Sequence, residues 1–214
     1  MAKLFFRYAV MNAGKSTQLL QIAHDYDKNG RSILCLKPKI DTKEGGFIIS
    51  RLEDGLIKRK ADFLTLPDKG WLYSKIKKTQ TEAIKEGKPI SVILIDEAQF
   101  LSELNVWDLT RIVAYLDIPV ICFALKVDAF GKPFPGSAAL FALSQDIEEV
   151  TTRAICCYSE KPRKATFQVR HINGKPVFSG SQVAIEDEHE ILYKPVCLHE
   201  YIKMKDEADG WIDK

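Results

Sequence analysis

Short, almost wholly apolar runs recur through about residue 150, separated by stretches of helical periodicity. Residues 3–9, 32–36, 90–95 and 118–124 have the length and apolar content of strands, and the run at 32–36 suits a parallel strand buried on both faces. Residues 16–25 carry Leu19, Leu20, Ile22 and Ala23 with Gln18 and Gln21 between them, and Asn29-Gly30 closes this helix as a C-cap would. A second helix is predicted over 71–86, with Leu72, Ile76 and Ala83 inward and Gly87 at its end. Residues 104–116 and 137–143 predict two more. Residues 47–50 and 63–66 read as short strands around a region holding Gly45, Gly46 and Gly55, and 126–136 as a Gly/Pro-rich loop. Alternating strands and helices predict an α/β fold with a mainly parallel sheet.

Beyond residue 150 the period shortens. Residues 151–156, 166–170, 182–185 and 191–194 read as strand fragments, and Asn173-Gly174 is a hairpin turn signal. The expected organisation is an α/β domain over 1–150, a small β-rich domain over 151–202 and a charged, fraying tail over 203–214. So small a β appendage needs a staple or a neighbour to hold it.

Composition narrows the partners. The chain has 214 residues, 46% hydrophobic and 28% charged, with net charge +2. That balance is ordinary for a globular protein and does not suggest a nucleic-acid binder, which needs concentrated positive charge. Lys58-Arg59-Lys60 and Lys161-Pro162-Arg163-Lys164 are the candidates for a local basic patch, although short basic runs are more often solvated faces. No membrane helix and no signal peptide are expected. The five cysteines are an odd number, and Cys35 and Cys122 lie among Leu, Ile and Phe as buried free thiols do. A reducing cytoplasm is the expected location.

The first strand runs into Ala9-Val10-Met11-Asn12-Ala13-Gly14-Lys15-Ser16-Thr17 and then a helix. This is the form of a phosphate-binding loop, although Ala9 stands where the first glycine is usual. Backbone N–H groups and a helix N-terminus there would hold the phosphates of a nucleoside triphosphate. Lys15 would bridge the outer phosphates, and the Ser16 hydroxyl would ligate Mg²⁺. The strand at 90–95 ends in Asp96-Glu97-Ala98-Gln99-Phe100. Asp96 is placed to join the Mg²⁺ shell opposite Ser16, and Glu97 to take a proton from an attacking hydroxyl. The bland alternative is an acidic pair capping the next helix.

Taken together, Ala9 to Thr17, Lys37-Pro38-Lys39-Ile40-Asp41-Thr42, Ser50-Arg51, Asp96 to Phe100, and Leu125 to Phe134 ahead of Gly136-Ser137 resemble the type II (cytosolic-type) thymidine kinase family over nearly the whole chain. The resemblance implies a P-loop NTPase fold of the RecA-like kind with a small β-rich lasso and zinc-type appendage. It implies transfer of the ATP γ-phosphoryl group to the 5′-hydroxyl of thymidine, giving dTMP. Glu97 would be the base and Lys15 the charge stabiliser, with Gln99 also at the nucleotide. Met11, Phe100, Leu125 and Phe134 match thymine-lining positions, and Asp41 matches a carboxylate near the base. A lasso loop would bring Val183, Ile185 and Tyr193 to the nucleoside. Its glycine pair is replaced here by Glu186-Asp187, a family arginine by Lys43, and the Phe that packs on the base falls at Ala129 with Phe130 next. Family members tie the appendage with four zinc ligands. Here Cys156 and Cys197 match, while Ser159 and Glu200 stand at the other two positions, so a remodelled set of Cys156, Cys157, Cys197 and His199 is the candidate. A homotetramer and feedback inhibition by dTTP are further family traits. The competing readings are an impaired nucleotide-binding relative with a regulatory or scaffold role, and a phosphate-loop ATPase acting on nucleic acid, which the near-neutral charge disfavours.

Overall fold

A computed structural model of the chain describes residues 1–39, 45–52, 55–65, 71–150, 154–182 and 191–211. Contacts divide the chain into two compact units. The first comprises Met1–Tyr8, Gly14–Ala124 and Phe134–Val150; the second comprises Ala9–Ala13, Leu125–Pro133 and Thr151–Lys214.

The first unit is α/β. Its strands are β1 (Leu4–Ala9), β2 (Ser32–Pro38), β5 (Phe63–Thr65), β6 (Ile90–Ile95), β7 (Val120–Leu125) and β8 (Asp146–Glu149), with β3 (Phe47–Leu52) and β4 (Gly55–Lys60) forming a separate antiparallel hairpin. The six-stranded sheet runs β5-β2-β6-β7-β1-β8, and β2 with β5, β2 with β6, β6 with β7 and β1 with β8 pair in parallel. Parallel strands need crossovers. These include the helices α1 (Lys15–Lys28), α2 (Leu72–Lys85), α3 (Glu103–Leu116) and α4 (Pro135–Leu143). Leu34, Leu36, Ile93, Ile95, Val120 and Cys122 from the strands pack with Leu72, Ile76, Leu109 and Ile112 from the helices in one core. The order matters for the site, because it places the C-terminal end of β6 between β2 and β7 near the middle of the sheet, where ligand crevices form in such folds.

The second unit holds a three-stranded antiparallel sheet, β10-β9-β11, from β9 (Phe167–Ile172), β10 (Lys175–Val177) and β11 (Ile191–Val196). Asn173 and Gly174, at φ 50° and 79°, make the tight turn joining β9 to β10. Cys156, Val169, Val196, Cys197 and Tyr201 form its small core, with Phe167, Phe178 and Met204 packed on it.

Several local expectations change. Lys58-Arg59-Lys60 lies in β4, with Lys58 and Lys60 exposed as a solvated face requires and Arg59 half-buried and ion-paired with Asp27. The polar strand β8 joins the sheet edge by pairing with β1, and no apolar pattern announces it. Of the strand expected at 151–156, residues 151–153 lie outside the described residues, and Ile155 makes only an isolated bridge to Lys164. The residues from Lys203 to Asp209, expected to fray, continue the helix α5 (Leu198–Asp209), which Tyr201 anchors by burial.

Candidate functional site

At the first unit's centre, β6 is buried almost throughout and ends at Ile95. The Asp96 N–H still donates to the Leu36 carbonyl of β2 at 3.0 Å, so the sheet holds this residue rigidly. Glu97 follows at φ 50°, ψ 37°, a left-handed conformation that a non-glycine residue adopts only under constraint. A 3-10 turn, Ala98–Phe100, comes next. Ser102 and Asn105 then cap α3 reciprocally, side chain to backbone in both directions.

The chain after β1 turns through Asn12 at φ 58° and Gly14 at φ 80°, and α1 starts at Lys15. Left-handed residues there turn successive N–H groups toward one side, the arrangement that receives anions. Lys15 is buried, and burial pushes its ammonium pKa below the ordinary value while the charges of Glu97 and Asp96 pull it back up. The Ser16 hydroxyl donates to Asp96 Oδ2 at 3.0 Å. Asp96 Oδ1 is buried with no hydrogen-bond partner among the described residues. Burial first, and Glu97 second, raise the Asp96 carboxyl to about 7. The orphaned Asp96 oxygen and the adjacent Ser16 hydroxyl are oxygen donors suited to a hard divalent cation such as Mg²⁺, whose charge would keep the carboxylate ionised. The Gln99 amide donates to Glu97 Oε2 and orients that carboxylate. Thr17 and Ser50 share a 2.6 Å hydroxyl–hydroxyl hydrogen bond that ties α1 to the β3–β4 hairpin.

Phe100 meets Phe134 edge to face, with ring centroids 5.7 Å apart. Gly136 makes that contact possible. A Cβ there would lie 2.6 Å from the Ala98 carbonyl oxygen, 2.7 Å from that of Leu101 and 2.8 Å from that of Gln99. Only glycine lets the first turn of α4 approach this backbone so closely.

In the second unit, Ala9, Val10 and Ala13 are buried, Met11 is half-buried and Asn12 is exposed. Leu125 is buried at the end of β7, and Tyr193 pairs with Arg170 across β11 and β9. Asp128 is buried, and its Oδ1 accepts from the N–H groups of Phe130 and Lys132 at 2.8 Å each. Asp41, Val183 and Ile185, with Lys43, Glu186 and Asp187, lie outside the described residues.

The expected metal quartet does not gather. Cys156 and Cys197 meet, with Cys156 accepting from the Cys197 thiol and from the backbone N–H groups of Cys197, Tyr158 and Ser159. Cys157 and His199 are both exposed, whereas Cys156 and Cys197 are buried. Among the described residues no group of three or more His, Cys, Asp or Glu could hold a metal ion. The described donors therefore do not make up the four-ligand set that structural zinc takes.

Sequence reasoning passed over Arg170, Asp128 and Gly136 as individual actors. Arg170 carried only a faint signal, a cation in the middle of the strand Phe167–Ile172. Asp128 shows only as a turn residue, and the close approach at Gly136 has no signature in one sequence.

The family model described as "Thymidine kinase" matches residues 2–201 of the chain. A thymidine kinase of Lactococcus lactis subsp. lactis is 38% identical over 204 residues, covering 95% of this chain and 98% of that one. One from Streptococcus gordonii is 39% identical over 204 residues, covering 95% and 97%. One from Streptococcus pyogenes serotype M28 is 38% identical over 202 residues, covering 94% and 97%.

Proposed function

The chain belongs to the thymidine kinase family, and from that premise we propose how its residues divide the work of phosphorylating thymidine with ATP. The reaction joins the thymidine 5′-oxygen to the γ-phosphorus and breaks the bond to the β–γ bridging oxygen, releasing ADP. The hydroxyl proton goes to Glu97. Gln99 holds one Glu97 oxygen, leaving the other for the incoming hydroxyl. Lys15 stays beside the outer phosphates and offsets the charge that spreads over the transferred group. The turn from Ala9 to Gly14, the start of α1 and the Thr17 hydroxyl complete the phosphate cradle. Ser16 and Asp96 would hold Mg²⁺, which when bound neutralises polyphosphate charge. The orphaned, buried Oδ1 of Asp96 beside the Ser16 hydroxyl is the observation that carries this assignment.

Met11, Phe100, Leu125 and Phe134 are the proposed apolar surfaces for thymine, and Asp41, Val183, Ile185 and Tyr193 the further nucleoside contacts. The edge-to-face pair of Phe100 and Phe134 supports the reading at two of these positions. dTTP is the proposed feedback inhibitor, since it carries the acceptor's base and a donor-like polyphosphate. The proposed location is the cytoplasm, supported by five free cysteines, and among the described residues no helix is long and apolar enough to cross a membrane. The proposed assembly is a homotetramer.

The test is a nucleoside panel with ATP and Mg²⁺. Thymidine is expected to be phosphorylated, and Glu97→Gln to lower kcat by about 10²–10⁴-fold, the usual worth of a positioned base. ATP binding without turnover on any nucleoside would instead identify a regulatory relative.

A further inference from the structure

Lys37 and Ser50 belong to segments that carry the family resemblance, yet neither takes part in the chemistry assigned to Glu97, Lys15, Ser16 and Asp96. Both are buried, 1% and 3% exposed. A buried ammonium or hydroxyl needs a hydrogen-bond partner. The Lys37 ammonium donates to the Phe47 carbonyl at the start of β3, at 2.8 Å. Leu36, beside it in β2, accepts from the Asp96 N–H. Adjacent residues of one strand therefore hold both the β3–β4 hairpin and the carboxylate that meets Ser16. Ile48 and Ser50 share one face of β3, both are buried, and β3 packs on α1. Arg59 of β4 is ion-paired with Asp27 in the last turn of the same helix. The hairpin is thus fixed along α1, with Ser50 at the end that begins the phosphate loop's helix.

The hydroxyls of Ser50 and Thr17 meet there at 2.6 Å, one residue beyond the Ser16 hydroxyl that donates to Asp96. Each hydroxyl has one proton to give and two lone pairs with which to receive. In the free pair either oxygen can be the donor. An ionised phosphate oxygen beside Thr17 removes that freedom, because it only accepts. Thr17 must then give its single proton to the phosphate, and its Oγ1 must receive the proton of Ser50. Ser50 is buried, so water does not compete for that proton, whereas Thr17 is only half-buried. A hydroxyl that accepts a hydrogen bond donates more strongly in turn, and one whose rotor is already held loses less freedom when a ligand arrives.

We propose that Ser50 is a positioning residue for ATP: its hydroxyl donates to Thr17 Oγ1 and turns the Thr17 proton onto an oxygen of the bound polyphosphate. This rests on the reading above that the Thr17 hydroxyl belongs to the phosphate cradle. Ser50 acts through Thr17 and touches neither substrate. Lys37 and the Arg59–Asp27 pair hold the hairpin that delivers it.

Calorimetric binding of ATP with Mg²⁺ to the intact protein tests it, with steady-state kinetics alongside. Ser50→Ala is expected to raise Kd and KM for ATP about three- to tenfold, the worth of one hydrogen bond. Its thymidine KM, and kcat at saturating substrates, are expected to stay within about twofold. Ser50→Thr restores the hydroxyl and should restore ATP affinity; a loss as large as that of Ser50→Ala overturns the proposal. Arg59→Leu loosens the same hairpin away from Thr17. It is expected to lower the melting temperature and leave ATP affinity unchanged, and an equal loss of ATP affinity there overturns the proposal in favour of a merely structural role. Thr17→Val removes the receiving hydroxyl, and in that background Ser50→Ala is expected to cost nothing further. Additive losses overturn the proposal. Unchanged ATP affinity in Thr17→Val overturns the cradle reading and the proposal with it. Weakened ATP binding in Thr17→Val but not in folded Ser50→Ala overturns the proposal alone. If Ser50→Ala does not fold, Ser50→Cys, whose thiol is a weak donor, decides by the same criterion.

Discussion

Glu97 carries two burdens, a left-handed backbone and a carboxylate beside buried Asp96. Strain and like charge persist where function requires them. Replacing Glu97 by glycine removes both, so Glu97→Gly is expected to raise unfolding stability by about 1 kcal/mol while abolishing turnover. Urea denaturation and the kinase assay on one preparation check the pair of outcomes. Lys15→Met is expected to lower kcat by about 10²–10³-fold, the worth of one preorganised charge contact, and near-normal rates would refute the loop's assignment.

His171 is a second residue with a measurable signature. Its Nε2 lies 2.7 Å from the Tyr158 hydroxyl, Lys194 Nζ donates to that hydroxyl at 3.2 Å, and Nδ1 faces the Val169 carbonyl at 3.3 Å. Burial first, and the Lys194 charge as well, hold the imidazole pKa below 6.5. The unfolded chain therefore binds a proton below about 6.5 that the folded chain refuses, so stability falls as pH drops through that value toward the folded pKa. Thermal melts at pH 5.5 and 7.5 should show a smaller pH-dependent loss in His171→Gln than in the parent.

Among elements, the junction of the 3-10 turn Ala98–Phe100 with α4 is the most constrained. In Gly136→Ala the new Cβ meets three backbone oxygens, none of which can rotate away as a side chain would. The expected cost is about 1–3 kcal/mol in urea denaturation, together with a weaker thymidine KM as Phe100 and Phe134 separate. The turn around Asn173-Gly174 was legible, because two left-handed residues between β-prone runs have few alternatives. The strands β4 and β8 were not. A charged run and Asp146-Ile147-Glu148-Glu149 become strands by pairing with neighbours, a non-local cause. The α5 helix was hidden similarly: its charged composition suggests a tail, and Tyr201, stacked on Phe167, holds it down. In the second unit, Cys156 and Cys197 meet, and among the described residues no group of three or more His, Cys, Asp or Glu forms around them. Purified protein should carry no stoichiometric zinc, and EDTA should leave its melting temperature unchanged. A stoichiometric, EDTA-sensitive zinc would refute this.

For the whole molecule, α3 presents Leu104, Trp107 and Tyr115 at helical spacing, 58%, 43% and 73% exposed. Large apolar groups aligned on one helix face favour association, which supports the proposed assembly. Sedimentation velocity should give a species larger than the 24.2 kDa chain, and Trp107→Glu should shift it toward smaller forms.

The local pattern alone determined the alternation of strands and helices, the turn proposed to bind phosphate between β1 and α1, and the acidic pair ending β6. Those features depend on residues near one another in the chain, so spacing and residue type suffice. Tertiary structure decided the rest. It placed the Ser16 hydroxyl on Asp96, left one Asp96 oxygen buried without a partner, and turned Gln99 onto Glu97. It paired Cys156 with Cys197 while leaving Cys157 and His199 outside, and it set the Arg170 guanidinium on the Ser179 and Ser181 carbonyls. Each of these depends on burial and on partners far along the chain, and those distances exist only once the fold has formed.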